Sequence, residues 1–201
     1  MKFEIIGSGG CVSLPKPLCR CKVCEEARSK GRPYSRYGPS MYVHDTKMLI
    51  DTPEDICHAI NDSTIESIAS VAYSHMDPDH VLGFRLFEQL RLNWFDAPCD
   101  VKPFPKSEVF RDADVMIIGN TVIGESLKGD YILPENSLLK RELFDLNEII
   151  QIRTQYNIKQ IIMTHLEEDW GKSYDDYKAL EKDYDNLRFA FDGMIIDTEE
   201  S

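Results

Sequence analysis

Ser74-His75-Met76-Asp77-Pro78-Asp79-His80 places four potential metal ligands, His75, Asp77, Asp79 and His80, within six consecutive positions. Imidazole and carboxylate together suit Zn²⁺, Mn²⁺ or Fe²⁺, and so tight a cluster can serve two metals when distant residues complete the shells. Upstream, Ile65 to Tyr73 is apolar and β-prone; downstream, Val81 to Leu92 reads as an amphipathic helix. The ligands therefore fall on a strand-to-helix loop. The competing reading is a solvated His/Asp loop in which Asp79 caps the next helix.

Working outward, strands are expected over 2–7, 40–51, 68–74, 114–119 and 159–164, with 187–196 as a strand pair or one extended strand. Helices are expected over 53–61, 81–93, 145–157 and 173–183, the last opening on Ser173 as N-cap. Leu138 to Leu146 extends the third of these or precedes it, and the cluster around 98–108 is the best internal punctuation. The class is α/β, with residues 1–201 forming one domain.

Met1 to Gly10 is a short apolar strand running into a glycine-rich turn, where small residues let backbone approach a neighbour closely. It lacks the third glycine and the helix of a dinucleotide fingerprint, and Pro15 and Pro17 prevent a helix from starting there. Met48-Leu49-Ile50-Asp51-Thr52-Pro53 is a strand ending on an aspartate that turns into a helix. Cys19-Arg20-Cys21-Lys22-Val23-Cys24 brings three thiols within six residues, a spacing that converges on one structural Zn²⁺ if a fourth ligand arrives from far away. A Cys21/Cys24 redox pair, or thiols that simply pack, are the other readings.

Taken in order, Gly-Ser-Gly, Cys-x-Cys-x-x-Cys, Leu-Ile-Asp-Thr-Pro and the His/Asp loop resemble the metallo-β-lactamase superfamily. Within it they resemble the branch of phosphoribosyl cyclic phosphate phosphodiesterases of phosphonate breakdown. The match runs over residues 3–90, with Asp77 standing where the second His of His-x-His-x-Asp-His is usual. Ile161 to Leu166, ending on Thr164-His165, resembles the place of the last metal-binding His, and Phe189 to Met194 the closing strand and turn.

The resemblance implies an αββα sandwich with one sheet reduced. It implies a metal-dependent hydrolase, a phosphodiesterase acting on a small cyclic or sugar phosphate through a metal-activated water. Two Zn²⁺ or Mn²⁺ are implied at the active site. His75, Asp77 and Asp100 would serve one; Asp79, His80, Asp100 and His165 would serve the other, with Asp79 and His165 as the catalytic pair and Asp51 orienting the loop. The structural Zn²⁺ would be held by Cys19, Cys21, Cys24 and Glu168.

The chain also departs from that pattern. Nineteen residues separate His80 from Asp100, and no His occurs between His80 and His165. An internal deletion is the expected cause. The alternative function is therefore a non-catalytic, zinc-stapled relative of the fold with a degenerate site.

Composition narrows the remaining choices. A formal net charge of −12 excludes a broad nucleic-acid surface. The basic stretch from Arg28 to Tyr37 is either a phosphate-holding segment or a solvated loop. Cys11, Cys57 and Cys99 have no paired spacing and are expected to be buried thiols in a reducing cytoplasm. No apolar run approaches the roughly 18 residues of a membrane span. The resemblance implies a small phosphodiester as substrate, and a homodimer would be one way to cover Trp94 and Phe95.

Overall fold

The computed structural model describes residues 1–86, 100–103, 112–119 and 146–199. The expected dimer contacts Trp94 and Phe95, Cys99, most of the shortened 81–99 segment and the Leu138–Leu146 helix extension lie outside them.

The described strands form two sheets. In chain order they are β1 (Lys2–Gly7), β2 (Ser40–Val43), β3 (Met48–Ile50), β4 (Ser70–Tyr73), β5 (Asp100–Pro103), β6 (Val115–Gly119), β7 (Gln160–Thr164), β8 (Leu187–Phe189) and β9 (Met194–Asp197). The first sheet runs β5-β4-β3-β2-β1-β9 and the second β6-β7-β8. The single strand expected over 40–51 is a hairpin, β2 antiparallel to β3, interrupted by a turn in which Lys47 has φ 53°. The 187–196 segment is a strand pair whose two members join different sheets.

Side-chain alternation divides these strands between two environments. Ile5 on β1 and Ile162 on β7 meet between the sheets with Met194 and Ile196. Their neighbours point the other way. Ile6 packs with Ile56 and Ala59 of helix α2 (Ile56–Asn61), whereas Ile161 and Met163 pack with Ile149 of the helix at Leu146–Gln155. Each sheet thus has one face on its partner and one on helices, which is the αββα sandwich.

Five helices are described: α1 (Lys22–Lys30), α2, α3 (Pro78–Val81), α4 (Leu146–Gln155) and α5 (Tyr174–Leu180). Ser173 caps α5 in a reciprocal box with Asp176. Of the helix expected over 81–93, residues 87–93 lie outside the described residues; Pro78–Val81 forms the single turn α3 and Leu82–Arg85 a tight 3-10 turn. Gly83 lies where a Cβ would collide with the Thr52 and Pro53 carbonyls, and its N–H donates to Thr52 O at 2.8 Å. α3 is capped by Asp77 rather than Asp79, without a side-chain hydrogen bond.

Helix α1 takes in only Arg28 to Lys30 of the basic stretch, and residues 31–37 follow as turn and loop. Val23, Cys24 and Ala27 occupy one face and bury against Leu14, and Gly31, at φ 66°, closes the helix. The cations of that stretch are already engaged. Arg28 donates to Cys19 O and Lys16 O, Lys30 pairs with Glu26, Arg32 with Asp62, and buried Arg36 donates to Ser8 Oγ and Ala190 O, both at 2.7 Å. These contacts tie loops together and favour the structural reading of the stretch.

Candidate metal centre

Strands β1, β3 and β4 run in the same direction, since β1 and β3 both pair antiparallel to β2 and β4 pairs parallel to β3. Their C-terminal ends lie on one edge of the sandwich. The end of β7 joins them, because Leu166 pairs with Gly9 and donates to Ser8 O at 3.0 Å. The segments just past these four strand ends are therefore brought to one place: Ser8 to Cys11, Asp51, Ser74 to His80, and His165 to Glu168.

Two of these residues leave their strands through an unusual backbone. Asp51 has φ 63° and His165 φ 61°, the left-handed region that side chains other than glycine enter at a cost of about 1–3 kcal/mol. Each conformation turns the chain immediately after a strand. The structure retains both where the two side chains meet the His/Asp loop.

Asp51 organises that loop. Its Oδ1 accepts the Ser74 N–H at 2.8 Å, and its Oδ2 accepts the Ser74 hydroxyl at 2.6 Å and pairs with His80 Nδ1 at 2.7 Å. Both partners of the last contact are buried, at 8% and 7% side-chain exposure. Burial pushes the His80 imidazole down, but the Asp51 hydrogen bond and the charges of Asp51, Asp79 and Asp77 outweigh it and hold His80 above the ordinary value. With its Nδ1–H donated to Asp51, His80 can offer an Nε2 lone pair to a metal once the ring is neutral, the tautomer such a ligand requires.

That lone pair has no hydrogen-bond partner. It lies 3.2 Å from Asp79 Oδ2, which in turn lies 3.4 Å from His165 Nε2. One donor atom from each of Asp79, His80 and His165 falls within a mutual 4.8 Å. An imidazole–imidazole–carboxylate set with a buried, unpartnered nitrogen fits a divalent cation. His75 stands at the rim, its ring 3.9 Å from that of His80, with Nδ1 3.0 Å from Ser74 Oγ and Nε2 3.5 Å from Asp77. Both His75 and Asp77 are exposed.

Asp100 is not brought to this group. It opens β5 opposite Ser70, whereas Pro103 lies opposite Tyr73, so its backbone sits roughly 10 Å along the strand from the edge that carries the loop. A bridging role for Asp100 therefore does not fit the strand register. Beside the cluster lies a cavity of about 230 Å³, walled by Ile5, Met41, Ile50 and Ile117 and floored by Asp51, Ser74, His75, His80 and His165.

The three thiols of Cys19, Cys21 and Cys24 converge within 4.8 Å. Hydrogen bonds from the Cys21 backbone and from the Cys21 and Cys24 thiols lower Cys19, while burial pushes Cys24 up to about 12. Glu168 is buried nearby, but its carboxylate pairs with Lys16 at 2.7 Å and is not among the converging donors.

Several contributors have no signature in their own stretch of sequence. Asp192 accepts from the Ser8 N–H and hydroxyl and from the Tyr37 N–H at 2.7–2.8 Å, holding the glycine turn in place. Burial raises its carboxyl to about 6, against the lowering pull of those donors and of Arg36. Cys11 is exposed rather than buried, and desolvation of its thiol with the charges of Glu167 and Asp79 pushes it up to about 12. Glu167, two residues past His165 on an extended segment, points back to the same ring; that spacing is the one local signal that could have found it.

Among solved structures, the chain resembles a diphosphatase from the PhnP family (18% identity, TM-score 0.66), covering 98% of this chain and 97% of that one. Zn²⁺-bound PqqB from Methylobacterium extorquens gives 17% identity and a TM-score of 0.70, with 98% and 100% covered. The short form of human tRNase Z gives 10% and 0.58, with 98% and 99% covered. No family model and no curated protein matches the chain. The solved structures establish the metallo-β-lactamase fold.

Proposed function

Taking the metallo-β-lactamase fold as premise, we propose that this chain is a metal-dependent hydrolase that cleaves a small phosphodiester, a cyclic or sugar phosphate. The observation that carries the reading is the buried His80 Nε2 without a hydrogen-bond partner. Leaving such an atom unsatisfied costs about 1–3 kcal/mol, and a cation taking the lone pair removes that cost. Asp79, His80 and His165 would hold one Zn²⁺ or Mn²⁺, and His75 with Asp77 at the rim would hold a second. When bound, a divalent cation supplies Lewis acidity and ionises water near neutral pH.

The chain's own residues do the rest. Asp51 fixes the His80 tautomer through Nδ1. Asp79, whose Oδ2 lies between the two imidazole nitrogens, would use its other carboxylate oxygen to accept the proton of an attacking water and pass it toward the leaving oxygen, with His165 as its neighbour in that transfer. The apolar walls Ile5, Met41, Ile50 and Ile117 keep bulk water from the phosphate and strengthen each charge interaction there.

Phosphate chemistry is supported by the sequence resemblance and by the diphosphatase and tRNase Z among the structural neighbours. A cavity of about 230 Å³ favours a small substrate over a nucleic acid, as does the net charge of −12. No described helix is long and apolar enough to cross a membrane, and the five described cysteines form no disulfide, which supports a cytoplasmic site of action. A structural Zn²⁺ on Cys19, Cys21 and Cys24 belongs to the same reading.

A second reading, a zinc-stapled fold without catalysis, is favoured by the exposure of His75 and Asp77. Elemental mass spectrometry of the wild type and of a His75→Ala/His80→Ala variant, with hydrolysis of bis(p-nitrophenyl) phosphate with and without Mn²⁺, separates the two. Loss of metal in the variant together with turnover by the wild type supports the hydrolase. The same single zinc in both, without turnover in either, leaves the zinc-stapled fold.

A further inference from the structure

The His165 ring faces two groups of donors, and the centre built on His80 uses only one. Its Nε2 faces Asp79; its Nδ1 is buried, has no hydrogen-bond partner, and lies 3.7 Å from Glu167 Oε1 on a side chain only 10% exposed. One donor atom each from Cys11, His165 and Glu167 falls within a mutual 4.8 Å. We propose that Cys11, His165 and Glu167 form a second, thiolate-containing cation site on the side of the His165 ring away from His80, selective for a borderline-soft divalent ion such as Zn²⁺.

The site is assembled by backbone geometry rather than by chance proximity of long side chains. The bridge between Gly9 and Leu166 lays the glycine turn beside the segment after β7. Glu167 Oε1 accepts the Cys11 N–H at 2.8 Å, which fixes the carboxylate against the turn. Gly10 is the residue that permits this, because a Cβ there would collide with the Glu167 carboxylate.

The donor set decides the ion. Thiolate, imidazole and carboxylate together suit Zn²⁺ and disfavour Mg²⁺ or Ca²⁺, which prefer oxygen shells. Cys11 is exposed, so the site opens to solvent and an ion can enter without unfolding the turn. His165 is shared with the inner centre, and the two positions are coupled through its ring. A neutral imidazole has one lone pair, so a cation on Nδ1 leaves the proton on Nε2 and the two positions compete for the ring.

The test is site-resolved alkylation of the full chain by N-ethylmaleimide, read by peptide mass spectrometry, as Zn²⁺ or Mg²⁺ is titrated. Zn²⁺ is expected to slow Cys11 modification at least tenfold and Mg²⁺ to leave it unchanged. Glu167→Gln, which keeps an acceptor for the Cys11 N–H, is expected to lose most of that protection while Cys19, Cys21 and Cys24 keep theirs. Protection of Cys11 in His80→Ala separates this site from the inner centre, whose failure would leave the result standing. An unchanged Cys11 rate in the wild type under Zn²⁺, or equal protection in Glu167→Gln, overturns the proposal.

Discussion

Replacing Asp51 by Asn keeps the shape of the side chain and removes the one acceptor pattern that holds His80 in its tautomer. The carboxylate satisfies three groups, the Ser74 N–H, the Ser74 hydroxyl and His80 Nδ1. An amide oxygen can keep the Ser74 N–H, but the amide NH₂ then faces the serine hydroxyl and the imidazole. The hydroxyl rotates to accept. His80 must present a lone pair at Nδ1, so its proton moves to Nε2 and the nitrogen facing Asp79 and His165 becomes a donor. Loss of such a supporting contact costs about 10–100-fold in metal affinity, which is about 1.4–2.8 kcal/mol at 1.4 kcal/mol per factor of ten. Because both side chains are buried, little solvent screening reduces this figure. Competition with a chromophoric chelator measures the affinity for Zn²⁺, and long-range ¹H–¹⁵N correlation spectra report which ring nitrogen of His80 carries the proton. A variant that binds Zn²⁺ within twofold of the wild type, or whose His80 keeps its proton on Nδ1, refutes the argument.

Asp192 carries the clearest pH dependence. Its folded-state value of about 6 lies above the ordinary 3.8, so the folded chain binds that proton more tightly than the unfolded chain. The contribution is complete below about pH 4 and fades as pH rises through about 6; urea denaturation at intervals across that window is expected to show wild-type stability falling relative to Asp192→Asn. Ile162→Ala, in the fully buried layer between the sheets, is expected to lower stability by about 2–5 kcal/mol, read as a shift in urea midpoint without a change in slope. If Cys19, Cys21 and Cys24 hold zinc, a strong chelator lowers the melting temperature of the wild type by several degrees and leaves Cys24→Ser unmoved. Gly83→Ala, forced against the Thr52 and Pro53 carbonyls, is expected to cost about 1–3 kcal/mol by the same denaturation assay.

The legible part of the sequence is local. The His/Asp loop, Asp51 and Thr164-His165 each come directly after an apolar run, and a strand's period of two together with the turn that ends it is written in consecutive residues. The facing of β1 and β7 obeys the same alternation, Ile5 and Ile162 inward, Ile6 and Ile161 outward. Helix α1 is equally legible, since Val23, Cys24 and Ala27 have helical spacing and Gly31 stops it, but the three cysteines and the basic charge of the segment point toward metal and phosphate instead.

The tertiary structure decided which distant segments meet. The resemblance suggests Asp100 as a ligand, and only the β4–β5 register, a sum of backbone pairings that no single residue announces, places its backbone away from the edge that carries the loop. Cys11 and Glu167 lie 156 residues apart and meet because Gly9 pairs with Leu166; Asp192 and Ser8, 184 apart, meet because β9 closes on β1. The left-handed turns at Asp51 and His165 lie at the assembled edge, and Asp and His are among the residues other than glycine that enter that region most readily. Ligand types and strand ends are properties of short segments, so sequence alone determined them; the grouping of those ligands into sites depends on long-range pairing, which only the folded chain supplies.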